Sequence, residues 1–199
     1  MPLLRERGFT LMELLMVMAM IAILLGLGAP AFQSSLERNR MQTAVSGLAG
    51  VLAFARAEAV IRTQPVGLCP TLNDVDCSGS NWENGMLVFV DDGDGAGASE
   101  LDGSFDGNEE LLRIVDAAPV DITIRTTGFI NTSSLVFTDS GRVLQSANGT
   151  LTVCDGRGVS DARALIVEVS GQARMAVDGD GNGVVQDHTA SGGADVVCP

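Results

Sequence analysis

The first marked pattern in the chain is an apolar run from Phe9 to Leu27 that contains one charged residue, Glu13. As an α-helix, 19 residues extend about 28 Å, close to the roughly 30 Å of a bilayer's hydrocarbon core. Arg5 and Arg7 precede the run, and the positive-inside rule places such residues in the cytoplasm. The pattern therefore predicts a membrane-spanning helix over residues 9–29.

After Pro30 the apolar positions recur at spacings of three and four, the pattern of a helix with one buried face. These positions are Leu36, Met41, Ala44, Val45, Leu48, Val51, Leu52, Ala55 and Ala59. Charged residues such as Arg56 fall mainly off this stripe. We predict that an amphipathic half-helix occupies residues 30–63, that it ends near Ile61 before Pro65, and that its stripe packs on a globular domain.

From residue 64 to residue 199 the chain consists of short β-rich runs between Gly, Asn and Asp clusters. The predicted strands are Val66–Cys69, Met86–Asp91, Leu111–Val115, Val120–Arg125, Ser134–Thr138, Gly141–Leu144, Thr150–Cys154, Ala164–Val169 and Ala173–Val177. Hairpin turns are predicted at residues 139–141 and 169–172. No long helical pattern separates the strands, which favours antiparallel sheets over a βαβ arrangement. The predicted fold class is therefore α+β, with a long amino-terminal helix packed on an antiparallel β-sheet domain.

The amino-terminal segment needs an explanation beyond its hydrophobicity. A secretory signal peptide would carry a cleavage site after the apolar run, but Gly26-Leu-Gly-Ala-Pro30 suits cleavage poorly. A plain anchor helix explains the run but not the carboxylate of Glu13, which is costly inside a membrane. The segment Arg7-Gly8-Phe9-Thr10-Leu11-Met12-Glu13 resembles the prepilin cleavage and methylation motif of type IV pilins and type II secretion pseudopilins.

This resemblance implies processing on the cytoplasmic side of the membrane. A prepilin peptidase would cut between Gly8 and Phe9, remove residues 1–8 as a leader peptide, and methylate the new amine of Phe9. Pro30 matches the proline that interrupts the first helix of pilins. Glu13 matches the acidic residue five positions into the mature chain and is implied to be an assembly contact, because it can pair with the amine of a neighbouring subunit.

Later segments are similar to the GspH/FimT family: Ala55-Arg-Ala-Glu-Ala59, Pro65-Val-Gly-Leu-Cys-Pro70, Trp82-Glu-Asn-Gly-Met-Leu-Val-Phe-Val-Asp91, Leu111-Leu-Arg113, Cys154-Asp-Gly-Arg-Gly158 and Ala162-Arg-Ala164. The resemblance implies a type IV pilin-like fold and a non-enzymatic minor pilin or pseudopilin that assists initiation or assembly of its filament. The implied partners are other pilins or pseudopilins, the prepilin peptidase and the inner-membrane assembly platform. The implied location is the inner membrane, with the leader in the cytoplasm and the globular domain in the periplasm, and then the filament tip.

An alternative function is DNA binding during DNA uptake at the pilus. The family resemblance implies a G-R-x-R motif for this purpose, and the matching position reads Gly171-Gln172-Ala173-Arg174, without the first arginine. Arg157, Arg163 and Arg174 are the candidate DNA contacts, provided that they cluster. The formal net charge of −13 opposes this function, because it repels nucleic acid at long range.

The four cysteines of an exported domain favour disulfides over a metal site. Three pairings are formally possible. We predict Cys69–Cys77, which closes a local loop, and Cys154–Cys198, which pins a tail that lacks apolar runs. Neither pair has a C-x-x-C spacing, so a structural role is favoured over a redox role.

No catalytic set of residues is visible in the sequence. His188 is the only histidine and lies in a Gly/Asp-rich tail, which favours a solvated residue over a member of a catalytic triad. The same tail contains Asp178-Gly-Asp-Gly-Asn-Gly183, which matches the first six positions of a calcium loop. The candidate ligands are Asp178, Asp180 and Asn182.

The calcium match is incomplete, because its twelfth position is Thr189 rather than a bidentate glutamate. Asp91-Asp-Gly-Asp94, with Glu100 nearby, is a weaker match. Ordinary acidic turns are the favoured interpretation of both segments, and no cofactor other than this calcium is predicted.

Overall fold

The computed structural model describes residues 8–93, 101–105, 108–129, 133–144, 148–189 and 193–199, with the backbone alone for 27–31. The chain divides into two compact units, Met1–Asn39 and Arg40–Pro199. Helix α1 (Leu11–Arg62) contributes to both units. The second unit contains the strands β1 (Val66–Pro70), β2 (Met86–Val90), β3 (Leu111–Val115), β4 (Thr123–Thr127), β5 (Leu135–Phe137), β6 (Gly149–Cys154), β7 (Arg163–Val167) and β8 (Ala173–Met175).

These strands form two four-stranded sheets. Sheet A has the order β3-β2-β1-β5, and sheet B has the order β4-β6-β7-β8. Every pair of neighbouring strands is antiparallel. The predicted α+β class and the antiparallel pairing are therefore confirmed.

One hydrophobic core joins the second half of α1 to both sheets. Eight of the nine predicted stripe positions, from Met41 to Ala59, are buried, whereas Leu36 is exposed. Sheet A adds Val66, Leu68, Val88, Leu135 and Phe137, and sheet B adds Ile124, Leu151, Val153, Leu165 and Val167. The packed stripe thus begins at Met41, inside the second unit, rather than at Leu36.

The outer faces of both sheets are covered as well. On sheet A, Cys77 and Phe105 pack over Cys69, Leu87 and Phe89. On sheet B, the carboxyl-terminal segment covers strand residues with Ala176, Val185, Val196 and the partly buried Val184 and Cys198. Burial on two faces explains why β1 and β2 are apolar without alternation, since both strands are buried at all five positions.

Two disulfides hold these covers in place. Cys69–Cys77 closes the loop after β1, with the Cα atoms 5.5 Å apart. Cys154–Cys198 joins the end of β6 to the carboxyl-terminal segment, with the Cα atoms 5.8 Å apart. Both are the pairs predicted from the sequence.

We expect the Cys154→Ser/Cys198→Ser double variant to lose more stability than the Cys69→Ser/Cys77→Ser variant. The loops span 44 and 8 residues, for which chain entropy gives about 4 and about 2.5 kcal/mol. Urea unfolding of the full-length protein in detergent measures both losses. In the first variant, proteinase K should also remove the carboxyl-terminal segment. Equal losses with a protected tail would contradict the proposed role of Cys154–Cys198.

Several strand limits differ from the prediction. The run 141–144 forms no strand; Val143 makes a single bridge to Phe137. Strand β4 starts at Thr123 rather than at Val120, because a turn precedes it in which the Ile122 N–H donates to Pro119 O. Strands β7 and β8 end at Val167 and Met175, two residues earlier than predicted.

A partly buried ion pair connects the turn between β1 and β2 with strand β4. Glu83 lies in a 3-10 turn between β1 and β2, and its carboxylate accepts hydrogen bonds from the Arg125 guanidinium and from the backbone N–H of Ile124 in β4. Burial favours a higher pKa for Glu83, but the hydrogen bonds from Arg125 and the backbone outweigh it and lower the pKa below its ordinary value. Sheet A is thus tied to β4 by charge as well as by the core.

Candidate functional site

The first half of α1 presents apolar side chains on all sides. Among the described residues, the exposed large hydrophobic side chains of this segment are Phe9, Leu11, Met12, Leu14, Leu15, Met16, Val17, Met18, Met20, Ile21, Ile23, Leu24 and Leu25. A helix that is apolar all round is stable only where a bilayer or other helices cover it. This segment is therefore the surface of the molecule that most clearly requires a partner.

Two apolar stretches of helix α1 are candidates for the membrane-spanning segment. Of the described residues, Phe32–Arg62 is long and apolar enough to cross a membrane, and Leu11–Gly26 is a shorter apolar stretch. The buried stripe from Met41 to Ala59 already occupies the core, which accounts for the hydropathy of the first stretch. The exposed Leu11–Gly26 stretch is the better candidate for the membrane.

Thr10 caps the start of this helix. Its Oγ1 and its carbonyl oxygen accept hydrogen bonds from the Glu13 backbone N–H, at 3.2 and 3.1 Å. The spacing Thr10-x-x-Glu13 is that of a capping box, a signal that sequence reasoning missed. Helix initiation is therefore an alternative role for Glu13, since a Glu or Gln at this position of a capping box stabilises a helix amino terminus.

Phe9 and Gly8 precede the helix. The Phe9 side chain is exposed, and nothing lies within 4 Å of the position that a Cβ on Gly8 would take. Cleavage between Gly8 and Phe9 and methylation of the Phe9 amine are the chemical steps predicted at this junction. They stay predictions.

Arg157 is held by two carboxylates. Its guanidinium lies 2.6 Å from Asp155 Oδ2 and 3.0 Å from Asp161 Oδ1. Burial favours a higher pKa for Asp155, but the hydrogen bonds from Arg157 outweigh it and lower the pKa below its ordinary value. The charge of Arg157 is thus neutralised within the domain rather than offered to an anionic ligand.

Arg163 and Arg174 do not lie side by side. The Arg174 Nε lies 3.1 Å from Glu168 Oε1, and Arg174 pairs with Ile166 across β7 and β8. Side chains alternate along a strand, so Arg163 lies on the opposite face of sheet B from Ile166 and Arg174. The structure does not bring Arg157, Arg163 and Arg174 together into one basic patch.

The glycine of the G-R-x-R position has a structural function. Gly171 lies in the turn between β7 and β8 at φ +79°, and a Cβ there would lie 1.9 Å from Gly141 O. Arg56 on α1 holds the two turns together, because its guanidinium donates to Gly141 O at 3.0 Å and to Ser170 O at 3.2 Å. Sequence reasoning placed Arg56 off the packed stripe and missed this contact.

In the candidate calcium loop, carboxylate oxygens accept hydrogen bonds from within the loop itself. Asp178 accepts backbone N–H bonds from Gly181 and Gly183 at 2.7 and 2.8 Å, and the Gly183 and Gly181 bonds lower its pKa. Asp180 accepts from both the backbone and the side chain of Asn182. In the part of the chain that the structure describes, no group of three or more His, Cys, Asp or Glu residues is placed to hold a metal. Calcium binding stays a prediction.

The weaker acidic match is only partly described. Asp91 is buried, and its Oδ2 accepts the Gly103 backbone N–H at 3.1 Å. Asp94 and Glu100 lie outside the described residues. Asp91 thus holds Gly103 in place, close to Phe105, which packs on sheet A.

The interpretation of His188 as a solvated tail residue needs correction. The ring is half-buried, its Nδ1 lies 2.9 Å from Thr150 Oγ1, and the His188 backbone N–H donates to the same oxygen at 2.9 Å. A Cβ on Gly128 would lie 1.9 Å from the ring Cε1. The residue therefore docks the carboxyl-terminal segment on β6, a contact that sequence spacing does not reveal.

Comparison with known proteins adds independent findings. A family model described as Type II transport protein GspH matches residues 44–173, and one described as a prokaryotic N-terminal methylation motif matches residues 3–29. The pilin-like protein PilA1 of Thermus thermophilus is 31% identical over 160 residues, which cover 69% of this chain and 96% of that protein. A type IV major fimbrial protein FimA of Dichelobacter nodosus is 27% identical over 159 residues, covering 78% and 91%.

A solved structure supports the architecture. The type IV minor pilin FimU of Pseudomonas aeruginosa superposes with a TM-score of 0.53 at 22% identity, covering 71% of this chain and 91% of that chain. At this identity the likeness concerns the fold. It agrees with a long amino-terminal helix followed by antiparallel sheets.

Proposed function

We propose that this chain, which belongs to the family of the type II transport protein GspH, is a minor pilin or pseudopilin that assists filament initiation or assembly. The family consists of pilin and pseudopilin subunits, which are structural proteins and not enzymes. The filament is a type IV pilus or a type II secretion pseudopilus, since both use this helix and this processing motif. Assembly is thus the activity to be explained.

The observation that carries this proposal is the exposed apolar helix with Glu13 near its start. Before assembly, a bilayer covers the side chains of Leu11–Leu25 and holds the chain in the inner membrane. In a filament, the helices of neighbouring subunits replace the lipid. The same surface therefore serves as the membrane anchor and as the assembly contact, and the domain from Arg40 onward projects into the periplasm.

The proposed partners act in turn as the chain is processed, extracted from the membrane and assembled. A prepilin peptidase would act on the Gly8–Phe9 junction, an inner-membrane platform would extract the mature subunit, and other pilin-like subunits would surround α1. DNA binding is not proposed as a second function, because Arg157 and Arg174 are paired with carboxylates and Arg163 lies on the other face of the sheet.

Deleting the gene tests the proposal directly. We expect fewer surface filaments, or reduced secretion through the type II system, with recovery when the wild-type chain is restored. The wild-type protein should also co-purify with sheared filaments or with its partner subunits. Normal filaments and normal secretion without the gene would overturn the proposal.

Processing offers a separate prediction. Mass spectrometry of the mature protein should find Phe9 at the amino terminus with one added methyl group. A bulky residue in place of Gly8 should leave the full-length precursor, because the peptidase must approach the backbone at this junction. An unmodified chain that begins at Met1, in cells with active prepilin peptidase, would contradict the assignment of the leader.

A further inference from the structure

The loop closed by Cys69–Cys77, here called the stapled loop (residues 69–77), holds two apolar side chains in water. Leu72 is 64% exposed and Val75 is 67% exposed. Single exposed apolar residues are normal on protein surfaces. Two of them within four positions of a covalently closed loop are a more specific arrangement.

Polar side chains fix the backbone of the stapled loop from inside. The Thr71 hydroxyl accepts the N–H groups of Asn73 and Asp74, and Asn73 Oδ1 accepts those of Val75 and Asp76. Thr71 itself is buried. These hydrogen bonds order the loop backbone, while the Leu72 side chain lies beside Gly79, where a Cβ would be 3.3 Å from Leu72 Cγ.

The ends of the stapled loop are anchored too. The Leu72 N–H donates to Ser78 Oγ at 3.0 Å, and Cys77 packs on the outer face of sheet A beside Phe105. Leu72 and Val75 belong to none of the buried clusters of the described residues. The two side chains are therefore available for a contact, and a loop ordered in advance loses little conformational entropy when it binds.

The face of sheet A next to the stapled loop also carries apolar side chains. In sheet A, Cys69 pairs with Leu87, and Leu87 pairs with Ile114 on the edge strand β3. These three residues share one face and one cross-strand row, so Ile114 lies about 10 Å from Cys69. Ile114 is 45% exposed. The stapled loop and the β3 edge therefore border the same face of the domain.

Charge indicates what kind of surface fits the stapled loop. Asp74 and Asp76 are exposed beside the two apolar side chains, and the whole chain has a formal net charge of −13. A second copy of this chain would be repelled. Complementarity instead favours a partner whose apolar pocket has arginine or lysine at its rim.

We propose that the stapled loop is a docking knob that inserts Leu72 and Val75 into a basic-rimmed apolar pocket of a different protein subunit in the same filament. The proposal rests on the assembly function proposed above and deepens it, because it names a contact made by the globular domain. It adds to the helix contacts and does not replace them.

The first test compares full-length variants in the native cells. Leu72→Ser/Val75→Ser should reduce recovery with sheared filaments or partner subunits at least about tenfold, because both apolar side chains lose their burial in the partner's pocket. Val177→Ser is the matched control, because Val177 is 64% exposed and lies after β8 in sheet B. Peptide mapping should find Cys69–Cys77 intact in both proteins. If the double variant is recovered as well as the wild type, the docking proposal alone is overturned. If the wild-type chain is itself absent from filaments, the proposed assembly function is overturned.

The second test identifies the partner. A photo-crosslinking phenylalanine derivative at position 75 should give an adduct with another pilin-like subunit, and the same group at position 177 should not. Asp74→Asn/Asp76→Asn should then weaken binding of that purified subunit at low ionic strength and have a smaller effect at high ionic strength. Asparagine tolerates the φ of +62° at position 74, so the loop is preserved. An adduct with a second copy, or no adduct, would overturn the proposal, as would unchanged binding by the asparagine variant.

Discussion

Replacing Gly171 by alanine is expected to destabilise the globular unit by roughly 3 kcal/mol or more. Two physical effects add at this position. The φ of +79° is strained for a residue with a Cβ, and the new Cβ would lie 1.9 Å from the Gly141 carbonyl oxygen. Backbone atoms cannot rotate away, so the two turns must separate and Arg56 must lose its hydrogen bonds to them.

Gly181→Ala is the matched control for this variant. Gly181 has the same φ of +79°, but nothing lies within 4 Å of its Cβ position. Backbone strain alone should cost about 1 kcal/mol there. Trp82, the single tryptophan, is buried, so its fluorescence reports urea unfolding of the full-length protein in detergent. Equal losses for the two variants would show that the clash with Gly141 has no part in the effect.

The Gly171 result also bears on the family motif. The glycine of the G-R-x-R position is required here for a close approach between two turns, whatever the arginines do. A loss of function after changing Gly171 would thus reflect loss of the fold. Changes at Arg174, which is exposed and paired with Glu168, separate a surface role from a structural one.

Periodicity predicted the parts of the fold in which local pattern and burial agree. The α1 stripe from Met41 to Ala59 and the strand Leu111–Val115 follow directly from spacings of three to four and from β-rich composition. Leu36 fits the same spacing, yet it is exposed, because spacing does not reveal where the sheets stop covering the helix. The run 141–144 failed for a similar reason, since Val143 makes one bridge only.

Contacts between distant segments were the least predictable part. The cysteines could be paired, because a short loop and an otherwise unanchored tail favour one pairing of three. The clamp of Arg56 on two turns and the docking of His188 on Thr150 join residues 38 to 114 positions apart. No local spacing marks such contacts. The register of β7 and β8 was likewise needed to place Arg163 and Arg174 on opposite faces of sheet B.

The candidate assembly site, in contrast, was largely predictable from the sequence. The motif from Arg7 to Glu13 is local, so the sequence alone indicated the processing site and the carboxylate. The structure adds Thr10 as the helix cap and shows that the following apolar side chains are exposed.

Neutralising Glu13 is expected to abolish assembly while the subunit stays inserted, folded and disulfide-bonded. Under the proposed assembly function, a lone carboxylate among packed apolar helices is costly, and pairing with the amine of a neighbouring Phe9 would offset that cost and fix the axial register. Losing one partner of a buried ion pair costs about 3–5 kcal/mol, which exceeds a factor of one hundred in affinity. Insertion needs only the apolar run, and the Thr10 cap uses the backbone N–H of residue 13 rather than its side chain.

Glu13→Gln and Glu13→Ala together separate the two roles of this residue. Glutamine keeps the size and hydrogen-bonding capacity of the side chain and loses only the charge, so an ion pair predicts that both variants disappear from sheared filaments. A role confined to starting the helix predicts that glutamine retains most of the assembly. Glu37→Gln, which removes a charge from the same unit, should assemble normally. If Glu13→Gln assembles as well as the wild type, then Glu13 does not pair with the Phe9 amine, and the register of the filament must be set by other contacts.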